Sequence, residues 1–165
     1  MLFRSPRAYP AYVARAQIYQ ETGQNSEAAH DLDRALLIKP DYFEALSLRG
    51  NILFSTGDWQ GAVALYTRAL AIDNKSAAVW NNRANSYFLL KRYPLAEDDY
   101  NKSILLDSAQ ASFYYNRGIF FLEGKRYSNA LDDFQMVLKI DPAHISAARK
   151  IKEVMRDMQQ KPPII

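Results

Sequence analysis

The chain has 165 residues, no cysteine and a net charge of +3. That length suits one domain, and the absence of thiols excludes disulfides and thiolate metal sites. Residues 145–165 hold five Lys/Arg against Glu153 and Asp157, so the remainder of the 21 basic and 18 acidic groups balance, sixteen of each, over residues 1–144. A nucleic-acid binder needs a basic stripe along one face; a basic end is not one, and no nucleic-acid partner is expected. No apolar run approaches the ~20 residues that span a bilayer, so membrane insertion is not expected either. The opening MLFRSPRAYP lacks the apolar run of a signal peptide. With no cysteine, a reducing, cytoplasmic setting is the expectation.

Residues 1–8 read as a lead-in. A first helix is predicted from Tyr9 to about Thr22, with Pro10 in its first turn, where the missing N–H costs nothing. Gly23 can take the left-handed conformation that ends a helix. A second helix runs from about Ser26 to Ile38, and Pro40 stops it. The next unit, residues 43–76, has Gly57 at the same turn and Asp58 as N-cap of its second helix. The unit 77–110 has Pro94 in the first turn of its second helix. The unit 111–144 has Gly124 near its turn. From Ile145 to Gln160 comes one more helix, with Ala147, Ala148, Ile151, Val154, Met155 and Met158 as an apolar stripe and a charged opposite face. The tail, residues 161–165, should be extended.

These units repeat with a fixed period. Ala28, Ala62, Ala96 and Ala130 are each 34 apart. So are the small residues Ala16, Gly50, Ala84 and Gly118, and the bulky series Tyr19, Leu53, Tyr87, Phe121 and Leu32, Tyr66, Tyr100, Phe134. Arg15, Arg49, Arg83 and Arg117 keep the same step. A 34-residue helix–turn–helix unit with this small and aromatic signature resembles the tetratricopeptide repeat family, over residues 9–144. The resemblance implies an all-α fold, a right-handed α-solenoid of antiparallel hairpins. It comprises repeats 9–42, 43–76, 77–110 and 111–144 and a capping helix, 145–160, in one domain. In such a stack each unit buries its apolar face on its neighbours, and a terminal cap needs one apolar face and one wet one. Two family features depart locally: the bulky residue at the interhelix turn is Trp59, Tyr93 and Tyr127 but Asn25 in the first unit, and the closing proline is Pro40 and Pro142 but Asn74 and Ser108 between.

No catalytic constellation is evident, and no metal or cofactor is expected. His30 and His144 lack partners at a telling spacing, and no glycine-rich phosphate loop appears. The carboxylate pairs Asp98-Asp99 and Asp132-Asp133 recur in register, which favours a structural role. Sixteen residues after Arg15, Arg83 and Arg117 come Asp31, Asp99 and Asp133; after Arg49 the same offset gives Leu65. Within a hairpin that offset sets one residue on each helix at similar height. Three ion pairs joining the two helices are therefore expected.

By the resemblance, the first helices of successive repeats line a concave groove that binds a partner protein as an extended peptide or helix. The residues facing it would be Val13, Ala14, Gln17 and Gln20; Ser47, Leu48, Asn51 and Phe54; Asn81, Asn82, Asn85 and Phe88; and Tyr115, Asn116, Ile119 and Leu122. Asn51/Asn85 and Asn82/Asn116 are in register. Asparagine is a poor interior helix former, so its recurrence on one face suggests a use; its amide offers both donor and acceptor to a peptide backbone. Phe54, Phe88 and Tyr115 would hold apolar side chains. Some members clamp the acidic C-termini of heat-shock chaperones with asparagines, lysines and an arginine. Asn85 and Asn116 resemble those asparagines and Lys150 the arginine, but the lysine positions are Asn81 and Ser146. The expected role is an interaction scaffold, not an enzyme. A chaperone-linked adaptor with a degenerate clamp and a self-assembling module are the alternatives.

Overall fold

A computed structural model describes residues 8–159, and all that follows concerns these. Residues 1–7 of the predicted lead-in, Gln160 at the end of the predicted capping helix and the predicted tail, residues 161–165, lie outside the described residues. The described chain is all helix and turn. The helices are α1 (Tyr9–Glu21), α2 (Asn25–Ile38), α3 (Phe43–Ser55), α4 (Trp59–Ile72), α5 (Ala77–Leu89), α6 (Tyr93–Leu106), α7 (Ala111–Glu123), α8 (Tyr127–Ile140) and α9 (Ile145–Gln159). Helices α1, α3, α5, α7 and α9 start in steps of 34 residues. The chain divides into two compact bodies, one up to Ala96 and one from Glu97, the boundary falling within α6.

In the first body α1 packs on α2, α3 on α4, and each pair on the helix that follows it. In the second, α7 packs on α8 and α8 on α9. In the α3–α4 and α7–α8 hairpins a glycine of the first helix fits against a large ring of the second. A Cβ on Gly50 would lie 2.6 Å from Tyr66 Cε1, and one on Gly118 would lie 2.7 Å from Phe134 Cε1. Tyr66 and Phe134 are themselves almost wholly buried. The glycines let the backbone ride directly on these rings, and the rings supply the apolar area that holds the hairpin closed.

The turns repeat as well. Gly23 and Gly57 have positive φ, as expected, but the next two members of the series are Lys91 and Lys125, with φ of 59° and 55°. Gly124, expected at the turn, is in ordinary right-handed backbone with φ −78°. Backbone bonds explain why lysine is held there. Lys91 N–H reaches Phe88 O and Arg92 N–H reaches Tyr87 O, closing the helix end in the same way as Gly57 N–H to Phe54 O and Asp58 N–H to Leu53 O. Asp58 caps α4 by accepting from Gly61 N–H at 2.9 Å. At the far ends, Asp73, Asp107 and Asp141 each accept from the N–H two residues on. These turns end the helix whether proline follows, as at Pro142, or not, as at Asn74 and Ser108.

Helix α9 covers α8 with Ala147 and Val154, both fully buried. Met155 and Met158, expected in the covered stripe, are 49% and 43% exposed. For Met155 the reason is angular: Ala147 and Val154 are seven residues apart and share a face, and Met155 is turned ~100° from Val154; Met158 lies on the covered face but in the last turn of α9. Lys152 stands where Ala16, Gly50, Ala84 and Gly118 stand in the repeats. A charged side chain there opposes close approach by a further helix. His144 starts α9, its Nδ1 accepting from Ala147 N–H at 3.2 Å.

Two stability measurements follow. Gly50→Ala should lower stability by about 1–3 kcal/mol through overpacking against Tyr66, although alanine favours helix by about 1 kcal/mol; chemical denaturation of the variant reads it. Val154→Ala should cost about 1.5–3 kcal/mol, whereas Met155→Ala should stay within about 0.5 kcal/mol of the parent.

Candidate peptide-binding face

The arginines fix the orientation of each first helix. Arg15 donates through Nε and Nη2 to both oxygens of Asp31, at 2.5 and 2.6 Å. Arg117 does the same to Asp133, at 2.9 and 2.7 Å. Both carboxylates are buried. Burial pushes Asp133 above the ordinary carboxylate range, and pairing to Arg117 acts against that rise. Of the third expected pair, Arg83 belongs to the first body and Asp99 to the second. Arg83 stacks over Trp80 at 4.7 Å, and Asp99 is buried.

The sequence reading missed a second set of bonds. Arg49 donates backwards to Asp33 at 2.8 Å, Arg83 to Thr67 at 3.1 Å, and Arg117 to Asn101 at 2.7 Å. Each acceptor lies sixteen residues before its arginine, on the second helix of the preceding unit. Arg49, which has only Leu65 ahead of it, thus has a role after all. The signal was the 34-residue series Asp33, Thr67, Asn101, all hydrogen-bond acceptors.

With arginine pinned to one side, the residue before it is turned ~100° away. In α5 and α7 that residue is Asn82 and Asn116, both half-buried. Asn82 Nδ2 donates to Asn51 Oδ1 at 3.0 Å, across α3 and α5. The Tyr66 hydroxyl donates to the same oxygen at 2.7 Å. Burial pushes the Tyr66 phenol well up, so it stays a donor at ordinary pH. Asn51, Phe54, Tyr66, Asn82 and Asn85 together line a cleft of about 200 Å³. Tyr66 was expected only as packing bulk; its hydroxyl reaches the asparagines because the ring rides over Gly50.

Other expected residues are placed differently. Asn81 is buried, 5% exposed, and is not presented to solvent. It lies a further ~100° round α5 from Asn82, on the face that meets neighbouring helices. Val13 is buried for the same reason, within the core of the first hairpin. Phe88 is half-buried, its ring 6.3 Å from that of Tyr93. In the second body Tyr115 sits between Phe134 and His144, with ring centroids 5.7 and 5.0 Å away. Lys150 is bound to Glu153 at 2.9 Å within α9. Among the described residues no group of three His, Asp or Glu side chains is arranged to hold a metal ion, and no helix is long and apolar enough to cross a membrane.

Models of the tetratricopeptide repeat match residues 13–77 and 77–109. No curated protein matches the sequence significantly. Among solved structures, MamA aligns with a TM-score of 0.80 at 19% identity, over 87% of this chain and 84% of that one. The first tetratricopeptide domain of Spaghetti (RPAP3), bound to the HSP90 peptide SRMEEVD, aligns with a TM-score of 0.69 at 25% identity, over 72% and 94%. The tetratricopeptide domain of Arabidopsis OM64 gives 0.67 at 28% identity, over 70% and 95%. The two family matches, the 34-residue step of the helix starts and these likenesses together establish that the chain belongs to the tetratricopeptide repeat family, with its all-α solenoid fold.

Proposed function

We propose that this protein is an interaction scaffold, not an enzyme, and that it binds an extended peptide or helix of a partner protein at the cleft between α3 and α5. One observation carries the reading: Asn51 Oδ1 is held by both Tyr66 and Asn82. That leaves Asn51 Nδ2 as a donor and Asn82 Oδ1 as an acceptor for an incoming peptide unit, already oriented before it arrives. Preorganisation of this kind lowers the cost of binding. Phe54, half-buried beside them, offers apolar contact to a ligand side chain. Within the second body, Asn116 and Tyr115 carry an asparagine and an aromatic ring on α7 as a separate candidate contact.

The likeness to a domain holding an HSP90 peptide favours a second reading, an adaptor for peptides with an acidic C-terminus. The cations for a carboxylate are poorly supplied here. One lysine position is the buried Asn81, another is Ser146, and Lys150 already pairs with Glu153. Backbone recognition is therefore the better account of this face.

The experiment is selection from a displayed library of random peptides, followed by titration of the selected sequences. Asn82→Ala should weaken binding about twofold to tenfold, the loss of one net hydrogen bond, with melting unchanged. Asn51→Ala should also lower stability by about 1–3 kcal/mol, because the buried Tyr66 hydroxyl loses its acceptor. Selected peptides that bind both variants as tightly as the parent would refute the cleft. Binding that survives only with a free terminal carboxylate, and not with its amide, would move the account to the adaptor.

A further inference from the structure

The α3–α5 cleft is uncharged and specific in the hydrogen bonds it can still make. Asn51, Phe54, Tyr66, Asn82 and Asn85 line it, and none carries a charge; burial keeps the Tyr66 phenol protonated. Asn51 Oδ1 already accepts from the Tyr66 hydroxyl at 2.7 Å and from Asn82 Nδ2 at 3.0 Å. An amide oxygen has two lone pairs, so these two donors fill it. The two tied amides then present a donor at Asn51 Nδ2 and an acceptor at Asn82 Oδ1. Among the described residues neither end has a hydrogen-bond partner, and no such atom is buried away from solvent. Both ends are therefore open to an incoming group.

That group must answer a donor and an acceptor at once. A carboxylate has acceptors only and would set a lone pair against Asn82 Oδ1; an ammonium or guanidinium has donors only and would set an N–H against Asn51 Nδ2. A trans peptide unit carries its N–H and C=O on opposite edges, so one backbone unit engages one end at a time. A primary carboxamide carries both on one edge. The cleft holds about 200 Å³, roughly six or seven water volumes of ~30 Å³, which is room for one side chain. Phe54 is half-buried at its wall and offers an apolar surface to a methylene stem, which is longer in glutamine than in asparagine. We propose, on the footing that this cleft is the peptide site, that it receives the side-chain carboxamide of a glutamine in the partner segment. The glutamine oxygen accepts from Asn51 Nδ2, its N–H donates to Asn82 Oδ1, and its methylenes pack on Phe54.

The probes are peptides selected from the random library on the full chain. Glutamine should recur at one position of those whose binding Asn82→Ala weakens. Each such peptide is then synthesised with glutamine, glutamate or methionine at that position and titrated against the parent protein and Asn82→Ala. On the parent, the glutamate and methionine versions should bind about tenfold or more weaker than the glutamine version, because both amide ends lose a matching partner. On Asn82→Ala, the gap between glutamine and methionine should narrow to about threefold or less, since one of the two bonds is gone from both. Selected peptides that need Asn82 but show no preference for glutamine would overturn the proposal and leave the cleft as the peptide site. A methionine version as tight as the glutamine one, or a gap unchanged by Asn82→Ala, would do the same. Peptides whose binding is indifferent to Asn82→Ala would remove the cleft, and the glutamine with it.

Discussion

The α1–α2 and α7–α8 hairpins depend on a carboxylate placed where water cannot reach it. Asp31 and Asp133 sit inside their hairpins at 1% and 4% exposure, and each is met by a two-pronged arginine from the first helix. An uncompensated charge there would cost several kcal/mol, so the pairing is directional and obligatory. Its contribution is less to total stability than to rotation: it leaves one angle at which the first helix can lie on the second. The close fit of Gly50 on Tyr66 and of Gly118 on Phe134 sets the separation. Together, the pair sets the angle and the ring sets the distance.

The proposed binding face is read from that geometry. Asn82 immediately precedes Arg83, and Asn116 precedes Arg117. In α7 the Arg117 guanidinium turns towards α8 and Asn116 turns away from it; in α5 Arg83 reaches back to Thr67 on α4, and Asn82 is turned away from that bond. The ring that spaces the hairpin has a further effect in α4. Tyr66 passes over Gly50 and its hydroxyl emerges beside Asn51, so one side chain both packs the hairpin and orients the amide at its surface. Residues that look purely structural in the series Leu32, Tyr66, Tyr100, Phe134 therefore differ in function. Only the phenols carry a hydroxyl to orient anything.

Much of this was legible in the chain. The 34-residue period places the helix starts, and the sixteen-residue offset identifies Arg15–Asp31 and Arg117–Asp133, because both are relations within one hairpin. Relations between successive units were harder to see. Arg49 to Asp33 needs the angle between neighbouring hairpins, which no local pattern encodes. Asn81 and Asn82 are identical in type, and only the helix phase separates the buried one from the half-buried one. The left-handed lysines at 91 and 125 were hidden because glycine marks that position only in the first two units. The Asp73, Asp107, Asp141 turns were readable, since a periodic aspartate two residues before a free N–H is an ordinary turn signal.

The direct test of the central claim is a double-mutant cycle at Arg117 and Asp133, measured by equilibrium denaturation. Arg117→Met alone should cost about 3–5 kcal/mol, because it strands a buried carboxylate. Asp133→Asn in that background should recover much of the loss, giving a coupling energy within the range of about 0.5–3 kcal/mol seen for contacting groups, and near its upper end. Additive effects, with no recovery in the double variant, would contradict the account: Arg117 and Asp133 would then not fix the angle at which α7 lies on α8.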